Sequence, residues 1–480
     1  MIALELMGLE VEHVFSCEIE PFKQAFIFRN FSPGVLFRDA CQLGESMAED
    51  AWGVPRSVPT KSVDVLVAGT SCVDFSALNH SKKRLRDGGQ SGRTFAGMLR
   101  WVMAAKPAMV LLENVCGAPW GEMCASLENV GYTVQKTELD SKRFGLPQTR
   151  IRGYALALLG DSHGSWPSIL RQLELEQDPP PLSSYLSGSL SDAVVTAKAT
   201  LTAKRVGVVQ PSAWIRCEHR HNQARAKEGL GMGRPLTGWA PGAPPLLRTG
   251  GWAEYATRLG PRKTDLLDIN FIRQAKLGRD AEHRTCVWNL RQNVNWETGH
   301  TKQEICPCLT PSMLPWVTSL GRPLIGEECL RLQGVPLGRL SLLGESNAGL
   351  MDLAGNGMTV PVVAAAIAAG LWCGHIRGSG PVSLPSSAVK WTIGAEVLSV
   401  TPRVELTADA LCSMVGTHTP YCLCKPPGKP VQCSLCAHTA CTRCCTSPRH
   451  SYEATSAARV EDTRMATEAF PLVVRLTIAG

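Results

Sequence analysis

Through the first 160 residues, short β-branched runs alternate with amphipathic helical stretches. That alternation is the pattern of a doubly wound, mostly parallel α/β sheet, and few other folds accept it. Residues 63–69 read as a buried strand, and 95–105 as a helix with apolar residues three and four apart. A strand over 108–112 ends at Glu113 and Asn114, a helix follows over 120–130, and 132–139 and 153–159 read as further strands. In such sheets, ligands and reacting groups gather beyond the carboxyl ends of the strands. Ser71-Cys72 and Glu113-Asn114 therefore fall where chemistry is expected.

With 480 residues, 44% of them hydrophobic and 19% charged, the chain has apolar surface for two or three cores. The longest apolar run, 359–373, is broken by Pro361 and Gly370 and falls short of the roughly 20 residues a membrane helix needs. The chain thus reads as soluble, without a membrane partner. Its start has neither a basic n-region nor a cleavage site, which predicts an intracellular protein. The net charge of +7 permits a polyanionic partner without requiring one.

Regularity fails from 161 to 321, where Pro179 to Pro181, Pro241 to Pro245 and many Gly and Arg residues separate brief apolar runs. This stretch reads as a second, loop-rich domain. Order returns over 322–376, with helical patterns at 326–333 and 360–372. Gly, Pro and Ser clusters mark 377–411 as a linker. A cysteine-rich module follows over 412–450, and a polar tail over 451–480.

Cys72 at a strand end is, taken alone, more often an inert thiol than a nucleophile. Its company changes that. The stretch 67–76 around Cys72 is followed by Glu113-Asn-Val115, then by Gln148-Thr-Arg150-Ile-Arg152. Later come residues 322–336 and Gly355-Asn356-Gly357. In this order the blocks resemble the DNA cytosine-5 methyltransferases, over about residues 3–374. The resemblance implies an α/β sheet of the S-adenosylmethionine-dependent methyltransferase type, with 161–321 as the target-recognition domain.

The family's chemistry explains the residue types. Cytosine C5 is a poor nucleophile, so a thiolate first adds to C6 and turns C5 into an enamine carbon able to attack a sulfonium methyl. Cys72 matches that thiolate, which nearby cations and backbone amides would favour. Glu113 matches the acid that hydrogen-bonds the ring nitrogen N3, and burial would keep it protonated by raising its pKa. Arg150 and Arg152, two apart on a strand, share a face. By resemblance one holds the cytosine O2 and the other braces the site. Glu18, with Ile19 beside it, matches the carboxylate on the cofactor ribose. Asp39 matches the acid at the adenine amino group, and Asn356 with Gly357 completes the pocket.

The chain departs from the family at Ser71, normally proline, and at Val73, normally glutamine. It also lacks the family's first strand and Phe/Gly-rich cofactor loop: Met1 to Gly8 match the helix that follows them. On this reading the chain is a fragment or, as the alternative, a protein that has lost one wall of the cofactor pocket, and its sheet has an open apolar slot. A base inside a duplex must be flipped out to reach such a site. Lys82, Lys83, Arg84, Arg86 and Arg93, with Gly88, Gly89 and Gly92 as hinges, suit a mobile phosphate-binding lid. Arg216, Arg220, Arg262, Lys263 and Arg273 are candidates for phosphate contact in the second domain.

Eight of nineteen cysteines lie between Cys412 and Cys445, a clustering that suggests metal rather than disulfides. Cys422, Cys424, Cys433, Cys436, His438, Cys441 and Cys444 have the short spacing that lets two sulfurs reach one zinc ion from a tight turn. Their order resembles part of a RING-type or PHD-type finger. A methyltransferase followed by a zinc finger resembles a chromatin-associated eukaryotic branch of the family. This implies a nuclear protein, duplex DNA as substrate and a chromatin partner for the finger. Two alternatives stand beside it: a tRNA cytosine-5 methyltransferase of the same fold, and a catalytically inactive DNA-binding or chromatin-binding protein.

Overall fold

The computed structural model describes residues 1–374 apart from 62, 78, 80, 204–210, 237–258, 300–301 and 343–344. Beyond 374 it describes the backbone of 390–392, 405–407, 430–432, 439–441 and 473–479. In chain order the strands are β1 (Glu10–Cys17), β2 (Val35–Phe37), the hairpin β3 (Met47–Glu49) and β4 (Pro55–Ser57), β5 (Val65–Gly69), β6 (Met109–Asn114), β7 (Tyr132–Asp140) and β8 (Ile151–Leu159). A small antiparallel sheet follows, made of β9 (Val287–Asn289), β10 (Pro315–Val317) and β11 (Arg322–Pro323). Two short pairs come next, β12 (Lys390–Thr392) with β13 (Glu405–Thr407) and β14 (Pro430–Gln432) with β15 (Thr439–Cys441). The last strand is β16 (Val473–Ala479).

The main sheet has seven strands in the order β2-β1-β16-β5-β6-β8-β7. Neighbours from β2 to β6 run parallel, and β8 runs antiparallel to both β6 and β7. This is the mostly parallel, doubly wound α/β architecture expected, with strand bounds moved by only one or two residues.

Alternation within single strands builds two cores. On one face, Val65, Val67, Met109, Leu111, Leu156 and Leu158 pack with Val362, Ile367 and the alanines of helix Val360–Gly374. On the other, Leu66, Ala68, Val110, Leu112, Ala155 and Ala157 pack with Phe95, Met98, Trp101 and Val102 of helix Gln90–Ala105. Successive residues of a strand point to opposite faces, so β5, β6 and β8 must be apolar throughout. The stretch Asn347–Gly374 is long and apolar enough, by length and composition, to cross a membrane, which corrects the expectation that no run reaches that length. Its most apolar window is 67% buried inside the protein, where it covers the sheet.

The segment 451–480, expected to be a polar tail, contains β16 at the centre of the sheet. β16 pairs parallel with β1 from Glu10↔Val473 to Cys17↔Ala479, and with β5 from Leu476↔Val65 to Ala479↔Ala68. It occupies the position between β1 and β5 that was expected to be an open slot. The β-branched residues Val473, Val474, Thr477 and Ile478 are the signal that was overlooked, and a strand hydrogen-bonded on both sides has no open edge.

The segment 161–321 is less loop-rich than expected, since it carries helices Trp166–Leu173, Asp192–Ala203, Pro211–Glu228 and Pro261–Lys276. The first packs Trp166, Ile169, Leu170 and Leu173 into the sheet's own core, so a boundary at 160 falls too early. Helices 211–228 and 261–276 escaped the apolar pattern because polar side chains interrupt it: Asp265, Asp268 and Asn270 are fully buried beside Leu266, Leu267 and Ile269. Within 377–411, expected to be a linker, the described residues form the short β12–β13 pair. Of the cysteine cluster, Cys422, Cys424, Cys433, Cys436, His438 and Cys444 lie outside the described residues. Only the backbone of Cys441 is described, in β15.

Leu476→Pro tests β16. Proline in a doubly paired strand removes a ladder donor and is confined in sheets to edge strands and bulges, so it is incompatible with a central strand. A clear fall in melting temperature is expected, and a silent substitution would remove β16 from the sheet.

Candidate active site

The chain lays down β1 and β2 toward one edge and then crosses to β5 and β6 on the other side. The direction of winding therefore reverses between β1 and β5, where ligands bind in open α/β sheets. Glu18 and Asp39 follow β1 and β2 at their carboxyl ends, and Cys72 and Glu113 occupy the carboxyl ends of β5 and β6. Sequence neighbours in different blocks thus meet along one rim.

Gly69 is in register with Glu113. A Cβ on Gly69 would lie 3.5 Å from Glu113 Oε2 and 3.2 Å from Met358 Cε, so the small residue lets the carboxyl group lie close against β5. Beyond it, the Asn114 amide donates to the carbonyl and hydroxyl of Thr70 at 3.0 and 3.1 Å, fixing the β5 exit against β6. Cys72 opens a turn in which its carbonyl accepts from Phe75 N at 3.0 Å and Ser76 N at 2.9 Å. Asp74 then ties the loop to the next helix, accepting from Ser91 N at 2.7 Å and donating its own N–H to Ser91 Oγ at 3.0 Å. Beside the thiol, the Ser71 hydroxyl is buried with no hydrogen-bond partner among the described residues.

Arg152 Nε lies 3.4 Å from Glu113 Oε1, with both side chains mostly buried. Burial raises the Glu113 pKa from its ordinary value, against the opposing pull of Arg150 and Arg152. Burial also raises the Cys72 thiol, and the Glu113 charge adds to it, outweighing Arg152, a backbone N–H and Arg150. The expected cationic stabilisation of the thiolate is thus present but overcome, because desolvation is the larger effect.

The two arginines divide their work. The Arg150 guanidinium is buried and donates to the carbonyls of Leu309 at 2.9 Å, Gly357 at 2.9 Å and Gly355 at 3.3 Å. Arg152 faces Glu113. Both approach the Cys308 sulfur, Arg152 Nη2 at 3.4 Å and Arg150 Nη1 at 3.8 Å. Cys308 is a site residue that the motif reading missed, and the one signal for it was the close pair Cys306-Pro-Cys308. Its loop is seated by Gln148, whose side chain accepts from Leu309 N at 3.1 Å and donates to Leu332 O at 2.8 Å. At Gly355 a Cβ would meet Pro311 N at 2.3 Å, so only glycine lets this helix end lie on the 308–311 loop.

On the other half of the rim, Glu18 accepts from Glu20 N at 2.9 Å, and Asp39 accepts from Cys41 N at 2.8 Å. Ile19 and Phe22 beside Glu18 are apolar yet 58% and 38% exposed. Asn356 is exposed and donates to Asp352 at the end of its own helix. Asp352 also meets Lys23 at 3.5 Å, which brings the 18–23 segment to the Asn356 helix. Two carboxylates beside an exposed apolar shelf suit the ribose diol and the adenine of S-adenosylmethionine.

Of the expected lid, Lys82, Lys83, Arg84, Arg86 and Arg93 are exposed, while Leu85 is buried and anchors the loop. The hinge reading holds for one glycine at most. Gly88 has a φ of +70°, but Gly89 caps helix Gln90–Ala105, and Gly92 lies inside it where a Cβ would meet Leu85 O at 2.1 Å.

The sequence profile of the C-5 cytosine-specific DNA methylases matches residues 1–371. A DNA (cytosine-5-)-methyltransferase DMT5 from Cryptococcus neoformans is 37% identical over 507 residues, covering 99% of this chain and 21% of that protein. A protein of the same name from Verticillium dahliae is 31% identical over 419 residues, covering 74% of this chain and 18% of its own length. The chain thus spans about a fifth of the length of these two relatives. A crystal structure of S. pombe Dnmt2 methyltransferase aligns over 77% of this chain and 94% of its own, at 16% identity and a TM-score of 0.41. With the profile matched over 1–371 and the blocks around Cys72, Glu113 and Arg150 gathered on one rim of the sheet, this chain belongs to the C-5 cytosine-specific DNA methylase family.

Proposed function

We propose that the chain methylates C5 of a cytosine flipped out of duplex DNA, through a covalent adduct of Cys72 at C6. The observation that carries this reading is the convergence of Cys72, Glu113 and Arg152 beyond the carboxyl ends of β5 and β6. Glu18, Ile19, Asp39, Asn356 and Gly357 would hold S-adenosylmethionine, which supplies the electrophilic methyl carbon when bound.

In the proposed reaction, Cys72 Sγ bonds to C6 while Glu113 gives its proton to N3, so the ring takes up the thiolate's electrons without accumulating charge. Arg152 holds O2, and Arg150 keeps the 308–311 and 355–357 segments over the site. C5, now an enamine carbon, takes the methyl group. The N3 proton returns to Glu113, the C5 proton leaves to solvent as the C6–Sγ bond breaks, and the aromatic ring, the thiolate and the protonated Glu113 are restored. Flipping costs about 3 kcal/mol, which phosphate contacts from the exposed cations of 82–93 would help offset.

In the same reading, 161–321 is the target-recognition domain and 412–450 a zinc-binding, RING-like or PHD-like module offered to a chromatin partner in the nucleus. Support for zinc is the ligand spacing alone. Metal analysis of the purified chain should find zinc that a chelator removes together with part of the folded signal; a metal-free chain would end that proposal.

Cys72→Ser should abolish methyl transfer while leaving duplex binding intact, and a fluorocytosine duplex should trap the wild-type chain covalently. Retained transfer by the variant would overturn the mechanism. Transfer to tRNA in preference to duplex DNA would favour the tRNA enzyme, and absence of an adduct the inactive binding protein.

The pH profile follows from the two raised pKa values. The active form needs Glu113 protonated and Cys72 ionised; the raised Glu113 pKa favours the first and the raised Cys72 pKa opposes the second. Between the two pKa values the gain in thiolate cancels the loss of carboxylic acid, so wild-type kcat/KM should be flat. Glu113→Gln should lower it by about 10²–10⁴-fold. The variant's profile should keep rising with pH through the same window; a flat variant profile would remove Glu113 from the acid's role.

A further inference from the structure

Between helices Pro211–Glu228 and Pro261–Lys276 and the loop after β9 lies a cavity of about 290 Å³, lined by Cys217, Arg220, Arg262, Arg291 and Asn293 among others. That is at the small end for a drug-like ligand, roughly 300 Å³, and ample for one phosphate group. The guanidinium groups are held by neutral partners. Arg262 donates to the carbonyls of Leu290, Arg291 and Gln292 at 2.7–2.9 Å, Arg291 to Ser312 O at 3.1 Å, and Arg220 to Cys217 Sγ at 3.8 Å. Asp265, buried in the same layer, is already shared by His221, Arg225 and Arg234 at 2.8 Å each.

Lys263 adds a further cation. Burial, then Arg291 and Arg262, lower its pKa, and burial with Arg220 lowers that of Arg262. The cluster repels itself, and an anion among its members would relieve that repulsion. Arg216 and Arg220 sit one helical turn apart on the same face, both exposed, and extend the positive charge beyond the cavity. A line of cations ending in a fork-lined cavity fits a polyanion followed along its backbone, not a lone ion.

We infer that the cavity bounded by Arg220, Arg262 and Arg291 holds a backbone phosphate of duplex DNA, with Arg216 meeting its neighbour. This deepens the DNA reading above and rests on it. Phosphate contacts set register without reading sequence, so their loss should weaken binding evenly across sequences and flatten its salt dependence by about 0.9 per contact.

The experiment uses the full chain and a short duplex carrying fluorocytosine. Binding is measured against salt for the wild type, for R220A/R291A and for R220K/R291K, alongside site-resolved alkylation of Cys217 with and without duplex. The expected result is a salt slope lower by about one to two in the alanine pair, near wild type in the lysine pair, and Cys217 shielded by duplex in the wild type. A folded alanine pair with an unchanged slope overturns the inference. So does a wild-type Cys217 alkylated equally fast with duplex bound, a readout that needs no variant to fold. Shielding by inorganic phosphate but not by duplex would assign a free anion instead and also overturn it. Covalent trapping reports the methyltransferase reading separately: trapping with an unchanged slope sinks the cavity alone, and a changed slope without trapping sinks the catalytic reading alone. A wild-type chain that binds no duplex overturns both.

Discussion

The buried guanidinium of Arg150 joins the two halves of the methylase core. A charge removed from water must be matched by hydrogen bonds, and Arg150 finds its partners in the carbonyls of Leu309, Gly355 and Gly357. Leu309 lies near the end of the 161–321 segment, and Gly355 and Gly357 lie beyond it. Gln148 repeats the tie through Leu309 and Leu332. These bonds act with the buried contacts of Leu146, Leu309, Leu350 and Ala354 to hold the 308–311 loop and the end of helix Asn347–Asn356 beside the start of β8. Gly355 is the steric side of the same contact, since any Cβ there would strike Pro311.

Under that roof, Glu113 decides the electrostatics. Desolvation favours its neutral form, and its charge, when present, raises the Cys72 thiol. Protonating Glu113 therefore eases ionisation of Cys72, and the two groups reach the states proposed for catalysis together. Arg152 stabilises both anions and so cannot choose between them. The Cys308 sulfur beside both arginines belongs to this balance, and nothing in the ordered motifs announces it.

The cofactor half of the rim depends on a different element. β16 separates β1, which delivers Glu18, from β5, which delivers Cys72, and its carboxyl end lies in register with Cys17 and Ala68. Moving that strand would change the distance between the proposed methyl donor site and the proposed nucleophile. The insertion contributes in another way: helix Trp166–Leu173 closes one face of the sheet, while Pro211–Glu228 and Pro261–Lys276 hold buried polar networks around Asp265.

What could be read from the sequence was whatever a single periodicity or spacing encodes. The apolar runs of β5, β6 and β8, the helices that cover them, and the positions of Cys72 and Glu113 at strand ends follow from the period-two and 3.6-residue patterns, which depend only on near neighbours. Helices 211–228 and 261–276 escaped because they bury polar side chains satisfied by distant partners. β16 escaped because a seven-residue strand after a polar stretch has no local feature that names its place in a sheet. The sequence by itself determined the sheet's class and the order of the reacting groups. Only the tertiary structure decided which strand fills the centre, which arginine braces and which faces the acid, and that burial outweighs the cations at Cys72, since desolvation and hydrogen-bond partnership depend on contacts between residues far apart in the chain.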